Sequence, residues 1–382
     1  MNKNITVGID VGSAYTRVVV ALFEKGDPLP KIIASASVKT SGMKDGYITN
    51  PAEITKSVIL CVSEAEKQTG FKLKRARISF GGYGTSSEIT LGASIISKAD
   101  GEVTVHDIEK ALAETEKVLD KTNKRVLSKI PLGYRLDGKE VLGTPLGMHG
   151  VKLEARALYT TGIAQHVDAL IEAVEDANIE VVAVVPNILA ASTLTLSDKQ
   201  KAVGVMLVDI GAETMSTIVY ENNVPLGIHV FPIGSDDITS DIAIGLKVSL
   251  DDAEKIKLGA LGQYQKRKID DIITARLYDM YEMLDKYLKK MKRSELLPAG
   301  IVLVGGGANF PGLEEQTRDA LRLPARIGFT EFFIQTKNKM RDPAWATAYG
   351  LALSQETTED FQNKKTNSLA DTFRHLIKQL LP

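Results

Sequence analysis

Apolar residues near the N-terminus come in three alternating bursts, 5–10, 16–23 and 31–38, parted by Gly12-Ser13 and by Gly26-Asp27-Pro28. Strand side chains alternate between two faces, so this pattern predicts a three-stranded meander. Pro51 and Glu53 then open an amphipathic helix carried by Ile54, Val58, Leu60, Cys61 and Ala65, which stops at Gly70. A strand over 75–80 runs into Gly81-Gly82. About 200 positions later the order returns: strands at 203–210, 216–221 and 224–232, the turn Gly234-Ser235, and a helix of roughly 236–246. A β-β-β-α unit repeated at this period predicts two related halves packed face to face, with a ligand cleft between them.

The remaining pattern fills in the frame. Residues 83–161 read as an inserted small α+β subdomain, with strands at 87–95, near 126–136 and at 151–160, and a helix over 105–119. The first half continues through 162–196 with a helix, a buried strand at 179–185 and a helix from Asn187. The second half spans 197–335 and includes a smaller helical part, about 235–298, built on a long helix of roughly 265–292. That helix has Ile269, Ile272, Ile273, Leu277, Met280, Leu284, Tyr287, Leu288 and Met291 at helical spacing. A strand at 299–304 meets three glycines, and residues 336–354 return to the first half through a core helix at 341–353 that includes Trp345. Polar residues 355–367 read as a linker, and 368–382 as a terminal amphipathic helix.

Composition narrows the class. With 382 residues the chain exceeds one simple core, and 25% charged against 44% hydrophobic residues is ordinary for a globular protein. A formal net charge of -1 argues against a general nucleic-acid binder, which carries a basic excess. The single cysteine, Cys61, excludes an intramolecular disulfide, and its place in a helical apolar pattern predicts a buried structural thiol. Asp10 and Arg17 interrupt the first apolar stretch before a secretory h-region can form. No run approaches the ~20 apolar residues of a membrane span.

Candidate chemistry lies in the turns. Asp10-Val11-Gly12-Ser13-Ala14-Tyr15 and Asp209-Ile210-Gly211-Ala212-Glu213-Thr214 both deliver an Asp at a strand end into a glycine-bearing turn. Such turns present backbone N–H groups to phosphate oxygens, and the carboxylates suit Mg²⁺ held through its waters. Gly305-Gly306-Gly307, followed by Ala308-Asn309, lets the backbone approach a flat group such as adenine, or serves as a helix-entering loop. Glu254 and Lys257 share a helix face, where they bind ribose and the adenine edge or form an exposed ion pair.

These motifs, in this order and spacing, resemble the actin, sugar-kinase and heat-shock chaperone ATPase superfamily. Within it the chain is similar to the FtsA family of bacterial division actin homologues, on Ala253-Glu254-x-Ile256-Lys257, Gly147-Met148-x-Gly150-Val151-x-Leu153-Glu154-Ala155 and Thr239-Ser240-Asp241-Ile242-Ala243 as well as the turns. The resemblance implies an α/β, actin-like ATPase fold: two RNase H-like βββαβα halves around a nucleotide cleft. It implies ATP and Mg²⁺ bound by Asp10, Gly12, Ser13, Ala14, Tyr15, Asp209, Gly211, Ala212, Glu213, Thr214, Glu254, Lys257, Gly305, Gly306, Gly307 and Asn309, with Asp10 and Asp209 on the metal through water. It further implies self-polymerisation, tethering of FtsZ filaments to the inner face of the cytoplasmic membrane, and recruitment of later division membrane proteins. The FtsZ C-terminal peptide falls to the subdomain holding the long helix, with Arg276 matching a family arginine there.

Two departures stand out. The second turn reads Gly-Ala-Glu-Thr-Met-Ser where relatives carry a Gly-Gly-Gly-Thr-Met-Asp type of sequence, so Glu213 is expected either to face outward or to act through Mg²⁺. Pro186-Asn187 offers no acid or Gln to position water, which predicts slow hydrolysis at most. A pilus-assembly actin-like adaptor is the second reading, and a small-molecule kinase the third, for which no substrate base stands out.

In the terminal segment Leu369, Phe373, Leu376, Ile377, Leu380 and Leu381 form one apolar stripe, with Arg374 and Lys378 on the other face. Such a helix docks on the protein's own core or inserts into a membrane interface; the polar linker favours insertion. Each buried side chain contributes at best roughly 1.5–3 kcal/mol, so one tail binds reversibly and a polymer gains avidity of about 10²–10⁴.

Overall fold

A computed structural model describes residues 4–24, 30–260, 264–329 and 342–353. The linker at 355–367 and the terminal segment, with Leu369, Phe373, Arg374, Leu376, Ile377, Lys378, Leu380 and Leu381, lie outside the described residues.

The first meander is β1 (Asn4–Val11), β2 (Tyr15–Phe23) and β3 (Lys31–Lys39), followed by a ribbon of two short strands, β4 (Met43–Lys44) and β5 (Tyr47–Ile48). Helix α1 (Pro51–Thr69) starts where the Asn50 side chain accepts the Glu53 N–H and ends on Gly70 at φ 77°. Strand β6 (Arg75–Phe80) follows. The insertion comprises β7 (Ser86–Ile95), α2 (Val105–Lys117), β8 (Lys124–Leu136), β9 (Lys139–Val141) and β10 (Lys152–Ile163). Then come α3 (Ala164–Glu175), β11 (Glu180–Pro186), α4 (Asn187–Thr195) and α5 (Asp198–Val203). The second meander is β12 (Val205–Ile210), β13 (Met215–Glu221) and β14 (Val224–Phe231). It leads to α6 (Ser235–Leu246), α7 (Leu250–Lys257) and α8 (Lys266–Lys290). Strand β15 (Ile301–Val304), α9 (Leu313–Leu321), β16 (Ala325–Ile327) and α10 (Ala346–Leu353) complete the described chain.

The duplication holds at the level of topology. One sheet runs β3-β2-β1-β6-β11, and the other contains β14-β13-β12-β15-β16 in the same sense. In each, an antiparallel meander is extended by parallel strands beside its first member. Apolar cores cover both sheets: β1, β2 and β6 with α1 and α3 in the first half, β12, β13 and β15 with α6, α8 and α9 in the second. Cys61 is fully buried, donates to the Thr16 carbonyl at 3.3 Å, and burial pushes its thiol up to about 12, so it is a packing residue.

Two details differ from the expected pattern. The last helix does not begin at 341: Pro343–Trp345 is a 3-10 turn, whose Asp342 side chain accepts the Ala344 N–H, and α10 starts at Ala346. The insertion leaves the first half by sequence, yet its sheet continues that of the second. The pair His229–Ser86 joins β14 to β7, reinforced by Ser87 Oγ, which takes the Ile228 N–H at 2.6 Å and donates to the Ile228 carbonyl at 3.1 Å.

Candidate functional site

Both Asp-bearing turns close in the same way. Gly12 N–H donates to Tyr15 O at 3.1 Å, and Gly211 N–H to Thr214 O at 2.9 Å. The ladders place Arg17 opposite Asp10 and Ser216 opposite Asp209. Both turns line one cleft of about 840 Å³, within the range of small-molecule sites.

The cleft brings together Asp10, Gly12, Ser13, Ala14 and Tyr15 from the first turn with Asp209, Gly211, Ala212 and Thr214 from the second. Glu254, Lys257, Gly305, Gly306, Gly307 and Asn309 line it as well. Lys257 Nζ lies 2.7 Å from Glu254 Oε2 and donates to the Ser235 carbonyl at 3.2 Å, while Thr239 donates to the same Glu254 oxygen at 2.6 Å. With its side chain only 8% exposed, Lys257 is an anchored wall residue, so the ion pair and the cleft position coexist. Asn309 Nδ2 donates to Asp342 at 2.8 Å. Ile269, Ile273, Phe310 and Pro311 supply apolar wall at the end of the cleft near α8.

Glycine is enforced where the Gly-rich loop crosses the second turn. Gly305 sits at φ 87°, and a Cβ there would stand 2.2 Å from Asp209 Oδ1 and 2.4 Å from the Ile210 carbonyl. At Gly234 a Cβ would come within 2.2 Å of Ala212 O, because the start of α6 is fastened to this turn: Ser235 N–H donates to Gly211 O and Asp236 N–H to Ala212 O.

The carboxylates sit in a low-dielectric setting. Burial raises Asp10 above its ordinary value, opposed by the Arg17 charge and by Ser79 Oγ, which donates to it at 2.6 Å. Asp209 is pushed up to about 6 by burial and by the Asp10 charge, against Thr347, Arg17 and Asn187. Thr347 Oγ1 and Asn187 Nδ2 donate to Asp209 Oδ2 at 3.3 and 3.4 Å, and Asn187 Nδ2 also reaches Ser216 Oγ at 3.0 Å.

Glu213 is not part of the cleft lining. Its Oε2 accepts the Asp45 N–H at 2.7 Å, from the tip of the β4–β5 ribbon on the opposite half. Arg276 is paired inside the protein: Nε and Nη2 donate to the two Asp241 oxygens at 2.7 and 2.9 Å, clamping α8 to α6. Sequence reasoning passed over Arg17, Ser79 and Thr347, all in the cleft lining, and read Asn187 only as the lack of an acid or Gln. Arg17 had a signal, a cation seven positions after Asp10 on a strand whose partner carries that Asp.

Two halves of identical strand order, closing a cleft between paired Asp-Gly turns, define the actin-like class. Solved structures of that class share the fold. The PilM–PilN type IV pilus biogenesis complex superposes with TM-score 0.69 at 19% identity, covering 91% of this chain and 97% of that one. MreB5 of Spiroplasma citri bound to ADP gives 0.53 at 10% identity, covering 95% and 99%. The family model for "Cell division protein FtsA" matches residues 206–350, and the "SHS2 domain inserted in FTSA" matches 84–161. FtsA of Bacillus subtilis (strain 168) is 29% identical over 92% of this chain and 83% of its own length; that of Borreliella burgdorferi is 28% identical over 96% and 94%. The chain belongs to the FtsA family, and its relatives place it among actin-like cell division proteins.

Proposed function

We propose that this protein binds ATP with Mg²⁺ between its two Asp-Gly turns, polymerises, and tethers FtsZ filaments to the cytoplasmic face of the membrane at the division site. The observation that carries the nucleotide reading is the convergence of Asp10, Asp209, the two turns and the Gly305 loop on one cleft. The donor set fits the metal. Two carboxylates converge there, and among the described residues no group of three or more His, Cys, Asp or Glu could hold an ion directly. Mg²⁺ gives up water reluctantly and takes few protein ligands alongside phosphate oxygens, which suits such a pair. Bound Mg²⁺ would neutralise the phosphates; the chain's own part is to orient them through the turns and to hold Asp10 and Asp209 in place with Ser79, Thr347 and Asn187. One neighbour of the same fold, MreB5, is bound to ADP, and nucleotide binding comes to this chain by analogy of fold. Asn187 commits its Nδ2 to Ser216 and Asp209, and its position holds neither an acid nor a Gln to draw on water, which supports slow hydrolysis.

The membrane role rests on the stripe Leu369, Phe373, Leu376, Ile377, Leu380 and Leu381, with Arg374 and Lys378 toward lipid headgroups. No described helix is long and apolar enough to cross a membrane. For the FtsZ C-terminal peptide, Arg276 offers its carboxylate-binding fork only by exchanging Asp241 for the peptide's anion, and that exchange belongs to the proposal. The test is electron microscopy on lipid monolayers with ATP and Mg²⁺, with and without an FtsZ C-terminal peptide, beside calorimetric nucleotide titration. Filaments that bind the peptide are expected, and Phe373→Asp should abolish lipid association. Absence of nucleotide binding, or filaments that ignore the peptide, overturns the reading; acceptor-dependent phosphoryl transfer would favour a kinase.

A further inference from the structure

The ribbon tip at Asp45 touches three parts of the molecule. Asp45 and Gly46 have φ of 51° and 74°, the two positive values of a type I′ hairpin turn. The Asp45 N–H points across the cleft mouth to Glu213 Oε2 on the second turn, at 2.7 Å. The Asp45 carbonyl accepts the Tyr83 N–H at 3.2 Å. A Cβ on Gly46 would stand 2.7 Å from the Gly82 Cα, so the tip lies directly on the backbone that leads into the insertion. Tyr47, next along, stacks on His166 with ring centroids 3.8 Å apart and planes 13° apart. His166 stands in the first turn of α3, where the chain leaves the insertion.

The chain passes between the first half and the insertion twice, just after β6 and just after β10. The ribbon presses on both, and Glu213 fastens the ribbon to a turn whose neighbours Ala212 and Thr214 line the cleft. We propose that Glu213 is a positioning residue: its bond to Asp45 ties the second phosphate-facing turn to the ribbon, so that the ribbon transmits the nucleotide state of the cleft to the insertion's two hinges. The proposal rests on the nucleotide reading above. It also accounts for a carboxylate beside a phosphate site, because the Asp45 N–H holds that charge outside the cavity lining. A contiguous set of contacts with two arrangements is what coupling requires, and a change of this kind needs only a small shift at one end.

Hydrogen–deuterium exchange of the full chain tests this on peptides covering 43–48 and 82–87. The probe is a non-hydrolysable ATP analogue with Mg²⁺, saturating for each protein as judged by separate titration. In the wild type the analogue should slow exchange of 82–87 by at least threefold. Glu213→Ala should lose that protection at equal occupancy, and Glu213→Gln, whose carboxamide oxygen still accepts, should restore it. Retained protection in Glu213→Ala, or none in the analogue-loaded wild type, overturns the coupling. Should the wild type fail to bind the analogue at all, the nucleotide reading itself falls. The latch is then judged without ligand: Glu213→Ala must speed exchange of 43–48 at least fivefold, and unchanged exchange refutes it.

Discussion

The first and second Asp-Gly turns share a backbone and differ in everything that surrounds it. In the first, Asp10 faces a cation across the ladder and takes a hydroxyl from Ser79. In the second, Asp209 faces Ser216 and is held by two neutral donors, Asn187 and Thr347. The first turn's tip is tied to the residue just past β3, through Thr40 N–H on Ala14 O, whereas α6 and the Gly305 loop both press on the second. After duplication, backbone geometry is kept because the ladder and the turn closure are intolerant of change. Side-chain surroundings are free to specialise: one turn carries a cation across its ladder, and the other is braced by α6 and the Gly305 loop.

The sharpest way to break the comparison is at the glycine beside each turn. Gly305 follows β15 as Gly81 follows β6, each on the parallel strand next to the Asp-bearing one. A methyl at Gly305 meets backbone and the Asp209 carboxylate at positive φ, whereas at Gly81 its nearest neighbours are atoms of the Asn187 side chain, from 2.6 Å. Strain and overpacking together should make Gly305→Ala cost roughly 3 kcal/mol or more, against about 1 kcal/mol for Gly81→Ala. Urea unfolding midpoints at equal m-value check this; equal losses would show that the two turns are equally loaded.

The next effect is pH dependence. Asp209 has a folded value of about 6 against an ordinary 3.8, so between those limits the folded state binds more protons than the unfolded one. Stability of the ligand-free protein should therefore fall as pH rises from about 4 to about 6 and level off above. Discounted for partial exposure, the contribution is on the order of 2 kcal/mol. Asp209→Asn should flatten that slope in thermal melts from pH 4.5 to 7.5. Binding of Mg²⁺ with nucleotide favours the ionised carboxylate, so near pH 6 it should release protons, visible as a buffer-dependent calorimetric enthalpy.

How much of this was legible follows from what alternation can encode. The strands of both meanders are long enough for a period of two to register, and β2, expected over 16–23, runs Tyr15–Phe23. Of the residues that the resemblance implied for the nucleotide, all but Glu213 line the cleft. The ribbon was missed because two-residue strands have no period, although Asp45-Gly46 is itself a hairpin signal. Glu213's partner lies 168 positions away in sequence, and no local pattern reports a contact that spans two halves. The passage of the insertion's sheet into the second half hangs on a single residue pair, His229 with Ser86, which strand patterns cannot assign.

Arg17 offers the smallest and most discriminating test. Its guanidinium stands over the rings of Tyr15 and Trp345, at 5.4 and 5.7 Å, and its Nε is buried without a hydrogen-bond partner among the described residues. Its charge lowers both Asp10 and Asp209, which burial raises. Removing it should leave the two carboxylates binding protons more readily and deprive the cleft of a cation. Arg17→Gln is therefore expected to move the pH midpoint of Mg²⁺–nucleotide binding upward and to weaken affinity at pH 7 by about tenfold, or about 1.4 kcal/mol. A neutral cross-strand partner already serves the second turn, so the comparison predicts that Ser216→Ala changes affinity less than Arg17→Gln and leaves the midpoint nearly still. Should the two variants shift the midpoint equally, the counter-charge would not belong to the first turn, and the asymmetry would rest on the α6 and Gly305 contacts alone.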